Sequence, residues 1–454
     1  MPPELIVVGL GPGDPDLWTT AAHRALTATG DVWLRDLATP SAAHLPATAR
    51  RHALPADDED AASTLLALAR RGDTVVYATP GHPAIDDPLW AALRRRANAA
   101  SPVTLRLIPG LGLAAAALTA VMPDTSGGDY QVVAAATLAG RASPRLDVDT
   151  LAVVTGLRAE QLAGVAHALA NVYPADHGLT LVTGLDTPIP TVAPTTLAAL
   201  AGASVPGESA LVVAPLAQPG AVTSLEEVMA TLLSPDGCPW DREQTHASLR
   251  PYLLEETYEV LAALDAGDIV KLPEELGDLL LQIAFHSQIA TRDGEFQLAD
   301  VVRSITAKLI RRHPHVFGEV SVADADEVTR NWEKLKAAER AEAGQRAADP
   351  FAGIALALPA LSRAQEMQRR AVRYGFRWLD RAAAWAEFEA ALAEWRAAAS
   401  DEARARTFGD ALFALASVDQ IDSLHAERAM RVANTRFAAR FAAWQAERLG
   451  EAAP

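Results

Sequence analysis

Two stretches, YLLEETYEVLAAL at 252–264 and PEELGDLLLQI at 273–283, set Glu256, Glu259, Glu275 and Asp278 among leucines at helical spacing. Residues three apart share a helix face, so Glu256 and Glu259 project together, as do Glu275 and Asp278. Carboxylates gathered in this way raise one another's pKa, and burial adds a desolvation cost. A hard divalent cation with oxygen ligands resolves the conflict, and Mg²⁺ is the expected ion. Downstream, Lys308, Arg311 and Arg312 precede HPHVFG, and Trp332 and Lys336 stand one turn apart in NWEKLK. Cations beside a Mg²⁺ site suit a polyphosphate, and Trp332 suits stacking on a base. His313 and His315, on either side of Pro314, read as structural residues. No Ser-His-Asp or Cys-His arrangement offers a nucleophilic alternative.

Positioning these groups requires paired helices. Leu253, Val260 and Leu264 form one apolar stripe, and Leu276, Leu280 and Ile283 form another at offsets of three and four. Between the stripes LDAGDIVKLP supplies a turn, with Pro273 tolerated in the first turn of the second helix. Two antiparallel neighbours are expected. Before them, the first 220 residues alternate β-rich runs (ELIVVGL, TVVYATP, TLRLIPG, LAVVTGL, LTLVTGL, ALVVAPL) with Ala- and Leu-rich helical segments. That alternation predicts a multi-domain chain, an α/β domain followed by all-α helical modules, joined at the Pro- and Gly-containing APLAQPGAV.

An internal echo follows the acidic helices. FGDALFALASV at 408–418 is similar to LGDLLLQIAFH at 276–286, and NTRFAARF at 434–441 to TAKLIRRH at 306–313. A duplicated helical module is expected. In the second copy Ala390 replaces the last glutamate of the E-E-x-x-E pattern, and Thr407 stands three residues before Asp410 in place of a glutamate. Arg436 and Arg440 keep the basic positions. The copy is expected to be catalytically dead and to pack or pair the active one, with Glu387, Glu389 and Asp410 the material for a weak residual metal site.

The chain has 454 residues, enough for about two to four domains. Its 40 basic and 57 acidic side chains give a formal charge of −17, which argues against nucleic acid as a partner. The single cysteine, Cys238, excludes an internal disulfide and a multi-thiolate zinc site and fits a reducing compartment. With no basic leader and no apolar run long enough to span a bilayer, a soluble cytoplasmic protein without membrane partners is expected.

CPWDREQTHASLRPYLLEETYEVLAAL, EELGDLLLQIAFHSQIA, KLIRRHPHVFG and NWEKLKAAE closely resemble the MazG family of nucleoside triphosphate pyrophosphohydrolases, over residues 222–345. The resemblance implies that Glu256, Glu259, Glu275 and Asp278 hold Mg²⁺ and that Lys308, Arg312, Trp332 and Lys336 hold the nucleotide. It implies that Glu255 orients or deprotonates the attacking water. The reaction implied is hydrolysis between the α- and β-phosphates of nucleoside triphosphates, giving monophosphate and pyrophosphate and clearing unwanted or surplus nucleotides. The shallow helical modules lead to an expected homodimer.

VVGLGPGDPDLWT at 7–19, ATPGHPAIDDP at 78–88 and IPGLGLAAAA at 108–117 resemble the tetrapyrrole methylase family over residues 1–218. That resemblance implies an S-adenosylmethionine site touching Gly11, Pro12, Gly81 and Pro109. AIDDPLW stands where active methylases carry a glycine and arginine turn, which argues against methyl transfer. The expected domains are 1–218, methylase-like; 222–345, the pyrophosphohydrolase; and 350–450, the degenerate second module. Two other readings are a methyltransferase with a regulatory helical half and a non-catalytic nucleotide sensor.

Overall fold

A computed structural model describes residues 3–449 except 73, 101–102, 122–127, 326, 329–330, 333–334, 336–349, 377–380 and 422–423. The chain divides into two compact units, Met1–Val228 and Met229–Pro454.

The first unit is built on two five-stranded sheets. In one, β1 (Glu4–Gly9), β2 (Asp31–Leu34), β3 (Arg50–Ala53), β4 (Val75–Thr79) and β5 (Thr104–Ile108) run parallel in the order β3-β2-β4-β1-β5. Side chains alternate faces along a strand, so an all-parallel sheet covered on both sides needs continuous apolar runs. In β1, Leu5 and Val7 enter the core beneath the helix Asp58–Ala69, while Ile6 and Val8 enter the core beneath Thr20–Thr27.

The second sheet is mixed. It joins β6 (Tyr130–Ala134), β7 (Leu151–Thr155), β8 (Gly178–Thr183), β9 (Thr191–Thr196) and β10 (Ala210–Val213) in the order β6-β7-β10-β8-β9, with only the β6–β7 pair parallel. The helix Leu113–Val121, which follows β5, packs Leu113, Ala114 and Ala117 against Val153, Val182 and Val212 of this sheet. One helix thus ties the two sheets together.

The loops after β1, β4 and β5 meet at a crossing made of glycines. A Cβ on Gly110 would lie 2.4 Å from the Gly81 carbonyl oxygen, and one on Gly9 would lie 2.5 Å from the Gly110 amide nitrogen. Only glycine fits so close a backbone approach.

The second unit is helical. Its long helices are α1 (Arg250–Ala266), α2 (Leu272–Asp293), α3 (Leu298–Arg312), α4 (Ala360–Arg373), α5 (Arg381–Ala397), α6 (Asp401–Ile421) and α7 (Ala426–Leu449). α1 and α2 form a hairpin, and so do α5 and α6. The stripes expected to be core are largely not covered within one chain. Val260 is buried, but Leu253, Leu264, Leu276, Leu280 and Ile283 are exposed. The sequence pattern marks these positions as apolar, but among the described residues nothing closes over them. No helix among the described residues is long and apolar enough to cross a membrane.

Candidate functional site

The acidic site is built at the closed end of the α1–α2 hairpin. Pro251 lies in the first turn of α1, where its missing N–H costs nothing. α1 stops at Gly267, which takes the left-handed conformation at φ 69° and donates its N–H to the Ala263 and Leu264 carbonyls. Asp268 then accepts the Val270 and Lys271 amides at 3.1 and 3.0 Å, starting α2. Glu274 and Glu275 occupy the first turn of α2, where the helix dipole favours negative charge.

Across this hairpin Glu256, Glu259 and Glu275 each offer a carboxylate oxygen, all within 4.8 Å of one another. Glu275 is 2% exposed, Glu256 half-buried and Glu259 exposed. The charge of Glu275 and a hydrogen bond shared with it hold the Glu259 carboxyl above its ordinary range, and Lys271 offsets part of that effect. Glu256 is also raised, first by burial and then by Asp278, Glu259, Glu255 and Glu275. Lys271 pairs with Glu275 and is itself held above the usual lysine value by that bond. Asp278 therefore acts on the cluster electrostatically while standing outside the three converging oxygens. Glu255 is exposed at the rim.

One lysine against three converging carboxylates leaves a surplus of negative charge. An all-oxygen donor set with raised carboxyls is the environment that a hard divalent cation neutralises, so the residues present fit such an ion.

The basic groups expected to meet a polyphosphate lie on α3 and beyond it. Lys308 is exposed, and the Arg312 guanidinium sits 5.8 Å from the centre of the Trp332 ring. Lys336 lies outside the described residues. His313 donates from Nδ1 to the Leu309 carbonyl at 2.7 Å and packs its ring 5.6 Å from that of His315, in keeping with structural roles.

In α5 and α6 the corresponding positions behave differently. Thr407 is 3% exposed, as buried as Glu275, but its hydroxyl donates to the Ala403 carbonyl of its own helix at 2.8 Å. Asp410 lies 3.8 Å from Arg406. Among the described residues, the only group of three or more acidic, histidine or cysteine side chains at metal-holding distance is the one on α1 and α2.

In the first unit Gly11 and Gly81 bridge each other. The Gly81 amide donates to the Gly11 carbonyl at 2.9 Å and the Gly11 amide to the Gly81 carbonyl at 3.3 Å, both residues having positive φ. Pro109 accepts the Thr19 hydroxyl at 3.4 Å. A cavity of about 1050 Å³ opens between the strand ends of the two sheets, lined among others by Arg35, Pro80, Asp86, Asp87, Thr155 and Asp186. Gly11, Pro12, Gly81 and Pro109 do not line it; Gly11 and Gly81 belong instead to the backbone crossing. Asp86 accepts the His82 and Leu113 amides at 2.7 and 3.0 Å, and burial pushes both the Asp86 and Asp87 carboxyls up.

Sequence reasoning passes over Lys271, although its spacing four residues before Glu275 is a readable signal. Asp86 and Asp87 enter the sequence reading only within AIDDPLW, the departure from the methylase turn, and not as carboxylates lining a cavity.

Two family models match the chain. Residues 4–201 match the tetrapyrrole (corrin/porphyrin) methylases, and residues 244–317 match the MazG nucleotide pyrophosphohydrolase domain. The nucleoside triphosphate pyrophosphohydrolase/pyrophosphatase MazG of Thermotoga maritima is 40% identical over 48% of this chain and 82% of its own length. The nucleoside triphosphate pyrophosphohydrolase of Escherichia coli K12 is 41% identical over 48% of this chain and 85% of its own. The uncharacterized protein YabN of Bacillus subtilis is 30% identical over 96% of this chain and 92% of its own. Among solved structures, a uroporphyrin-III C-methyltransferase from Thermus thermophilus is similar over 47% of this chain and 94% of its own, at 24% identity and a TM-score of 0.38. With relatives matched over most of their own length and, for YabN, over nearly all of this one, the chain belongs to the MazG nucleotide pyrophosphohydrolase family and carries a tetrapyrrole methylase domain in its first half.

Proposed function

We propose that the protein hydrolyses nucleoside triphosphates between the α- and β-phosphates, releasing a monophosphate and pyrophosphate, and so clears surplus or unwanted nucleotides. The observation that carries this reading is the convergence of Glu256, Glu259 and Glu275 within 4.8 Å in the segment similar to pyrophosphohydrolases. In this reading Glu256, Glu259, Glu275 and Asp278 hold Mg²⁺. When bound, the ion supplies a water of lowered pKa and neutralises charge on the leaving pyrophosphate. Glu255, exposed beside the cluster, would orient the attacking water or take its proton. Lys308 and Arg312 bind phosphate oxygens, Trp332 stacks on the base, and Lys336 completes the nucleotide contacts.

Three functional parts make up the chain in this proposal: a methylase-like domain at 1–218, the hydrolase at 222–345 and the catalytically silent second module at 350–450. The first binds S-adenosylmethionine without transferring its methyl group, since Asp86 and Asp87 occupy the turn that active methylases use. The exposed leucines of α1 and α2 are covered by a second copy in a homodimer, and the single cysteine suits the cytoplasm.

The test is incubation with a panel of nucleoside triphosphates and Mg²⁺, separating pyrophosphate from orthophosphate. Pyrophosphate plus monophosphate is expected, falling about 10²-fold or more in Glu259→Gln, since loss even of a group that only orients a metal ligand costs 10–100-fold. Orthophosphate as the product, or no turnover at all, would overturn the proposal.

A further inference from the structure

Asp265 is the penultimate residue of α1. A carboxylate there is opposed by the carbonyl end of the helix dipole, so α1 gains nothing from it. Its side chain is nevertheless only 16% exposed, and three guanidinium nitrogens close on it. Arg428 Nε lies 2.9 Å from Oδ1, and Arg431 Nε and Nη2 lie 3.0 and 2.8 Å from Oδ2. Both arginines stand on α7, in the second helical module.

The two modules differ at these positions in a complementary way. In the alignment that sets NTRFAARF against TAKLIRRH, Arg428 stands where the first module has Asp300, and Arg431 where it has Arg303. Asp300 and Arg303 pair with each other within α3 at 2.5 Å. With an arginine in place of the aspartate, Arg431 has no aspartate three residues before it, and both guanidiniums turn to Asp265. The residue corresponding to Asp265 in the second module is Arg396, so the reciprocal contact would set an arginine, not a carboxylate, against Asp300 and Arg303, and the two-guanidinium grip on one carboxylate is made on α1 alone.

We infer that the second module is a brace for the metal cluster: Arg428 and Arg431, through Asp265, fix the end of α1 and thereby set the separation of Glu256 and Glu259 from Glu275 on α2. Asp265 lies six residues beyond Glu259, about 9 Å along the axis, and nine residues beyond Glu256, which puts it on nearly the opposite face. The grip is from behind, on the last turn before Gly267. That joint leads straight to Asp268, which starts α2, and to Lys271, which pairs with Glu275. A helix free to slide at this point would carry two of the three converging carboxylates with it.

The inference rests on the reading of these glutamates as metal ligands. Its test therefore uses Mn²⁺ binding to the full-length chain, measured by calorimetry without nucleotide, with amide exchange along α1 followed in the metal-free protein. Arg428→Ala/Arg431→Ala is expected to bind Mn²⁺ about tenfold more weakly, the range for losing a group that orients metal ligands, and to exchange faster over 262–266. Arg431→Lys, which keeps the charge, is expected to stay within about threefold of wild type, because one charged bond of the fork survives. A merely structural ion pair would lower the melting temperature and leave the Mn²⁺ affinity where it was, and that result overturns the brace. Should the double variant fail to fold, Asp265→Asn is read in the same way: weaker Mn²⁺ binding supports the brace and wild-type affinity overturns it. Weakened binding in the variants of a protein that hydrolyses no nucleotide would sink the hydrolase reading and leave the brace standing.

Discussion

Glu275 carries the sharpest conflict in the acidic cluster, because it is 2% exposed and faces two other carboxylates, with Lys271 as its counter-charge among the described residues. Lys271→Met removes that charge, and the metal-free protein is expected to melt at lower temperature while added Mg²⁺ restores more of the loss than it adds to wild type. Equal Mg²⁺ effects in the two proteins would refute this. A pH dependence follows from the raised carboxyls of Glu256 and Glu259. Because their folded pKa values lie above the unfolded ones, the metal-free fold gains from them below the unfolded glutamate range and loses that gain as pH rises through the folded values. Stabilisation by Mg²⁺ should accordingly grow from pH 5 to pH 8, as read by the shift in melting temperature; a flat profile counts against it. The acids themselves are legible from their three-residue spacing. Asp265 is not, since its partners lie 163 and 166 residues away and no local pattern announces them.

At the scale of elements, two backbone features can be tested directly. Gly267 sits at φ 69° with no atom within 4 Å of where a Cβ would stand, so Gly267→Ala meets no steric cost beyond the left-handed backbone. It is expected to lose about 1 kcal/mol, with Gly267→Asn losing less. Gly110→Ala instead drives a methyl to 2.4 Å from a carbonyl oxygen of the neighbouring loop and is expected to cost about 3 kcal/mol or prevent folding. Chemical denaturation ranks the two, and the reverse order would contradict the account. The same scale shows what sequence patterning can see. The six β-rich runs correspond to β1, β4, β5, β7, β8 and β10, most of them buried on both faces. β3, β6 and β9 carry no such run, and all three are sheet edges with mostly exposed side chains. β2, the fourth strand without one, is only four residues long and lies next to an edge. A strand with water on one side has little need of the apolar run that would reveal it.

For the whole molecule, the helical unit leaves Leu253, Leu264, Leu276, Leu280 and Ile283 of the first hairpin exposed, together with Ile305 and Leu309 of α3. Apolar surface at this density is expected to be covered by a second copy, and light scattering at micromolar concentration should give twice the 48.0 kDa of one chain. A mass of one chain would sink that expectation. The division into an α/β half and a helical half is readable because strand-period and helix-period patterns change abruptly near residue 220. What covers the exposed stripes is not, because periodicity reports that a face is apolar and says nothing of its partner.

The buried hydroxyl of Thr407 has a consequence for the history of the second module. Restoring a glutamate there would place a carboxylate at a site 3% exposed, and the residue four positions earlier is Ala403, where the first module has Lys271. Thr407→Glu alone buries an unpaired charge, a step of about 3 kcal/mol or more in the wrong direction. Ala403→Lys alone adds a cation and Ala390→Glu alone adds an acid beside Glu387, but neither by itself assembles three converging carboxylates. Each reversion is neutral or harmful until the others are present. If the second module is a degenerate copy of the first, as proposed, no single substitution rebuilds its acidic cluster, and the changes would have to return together.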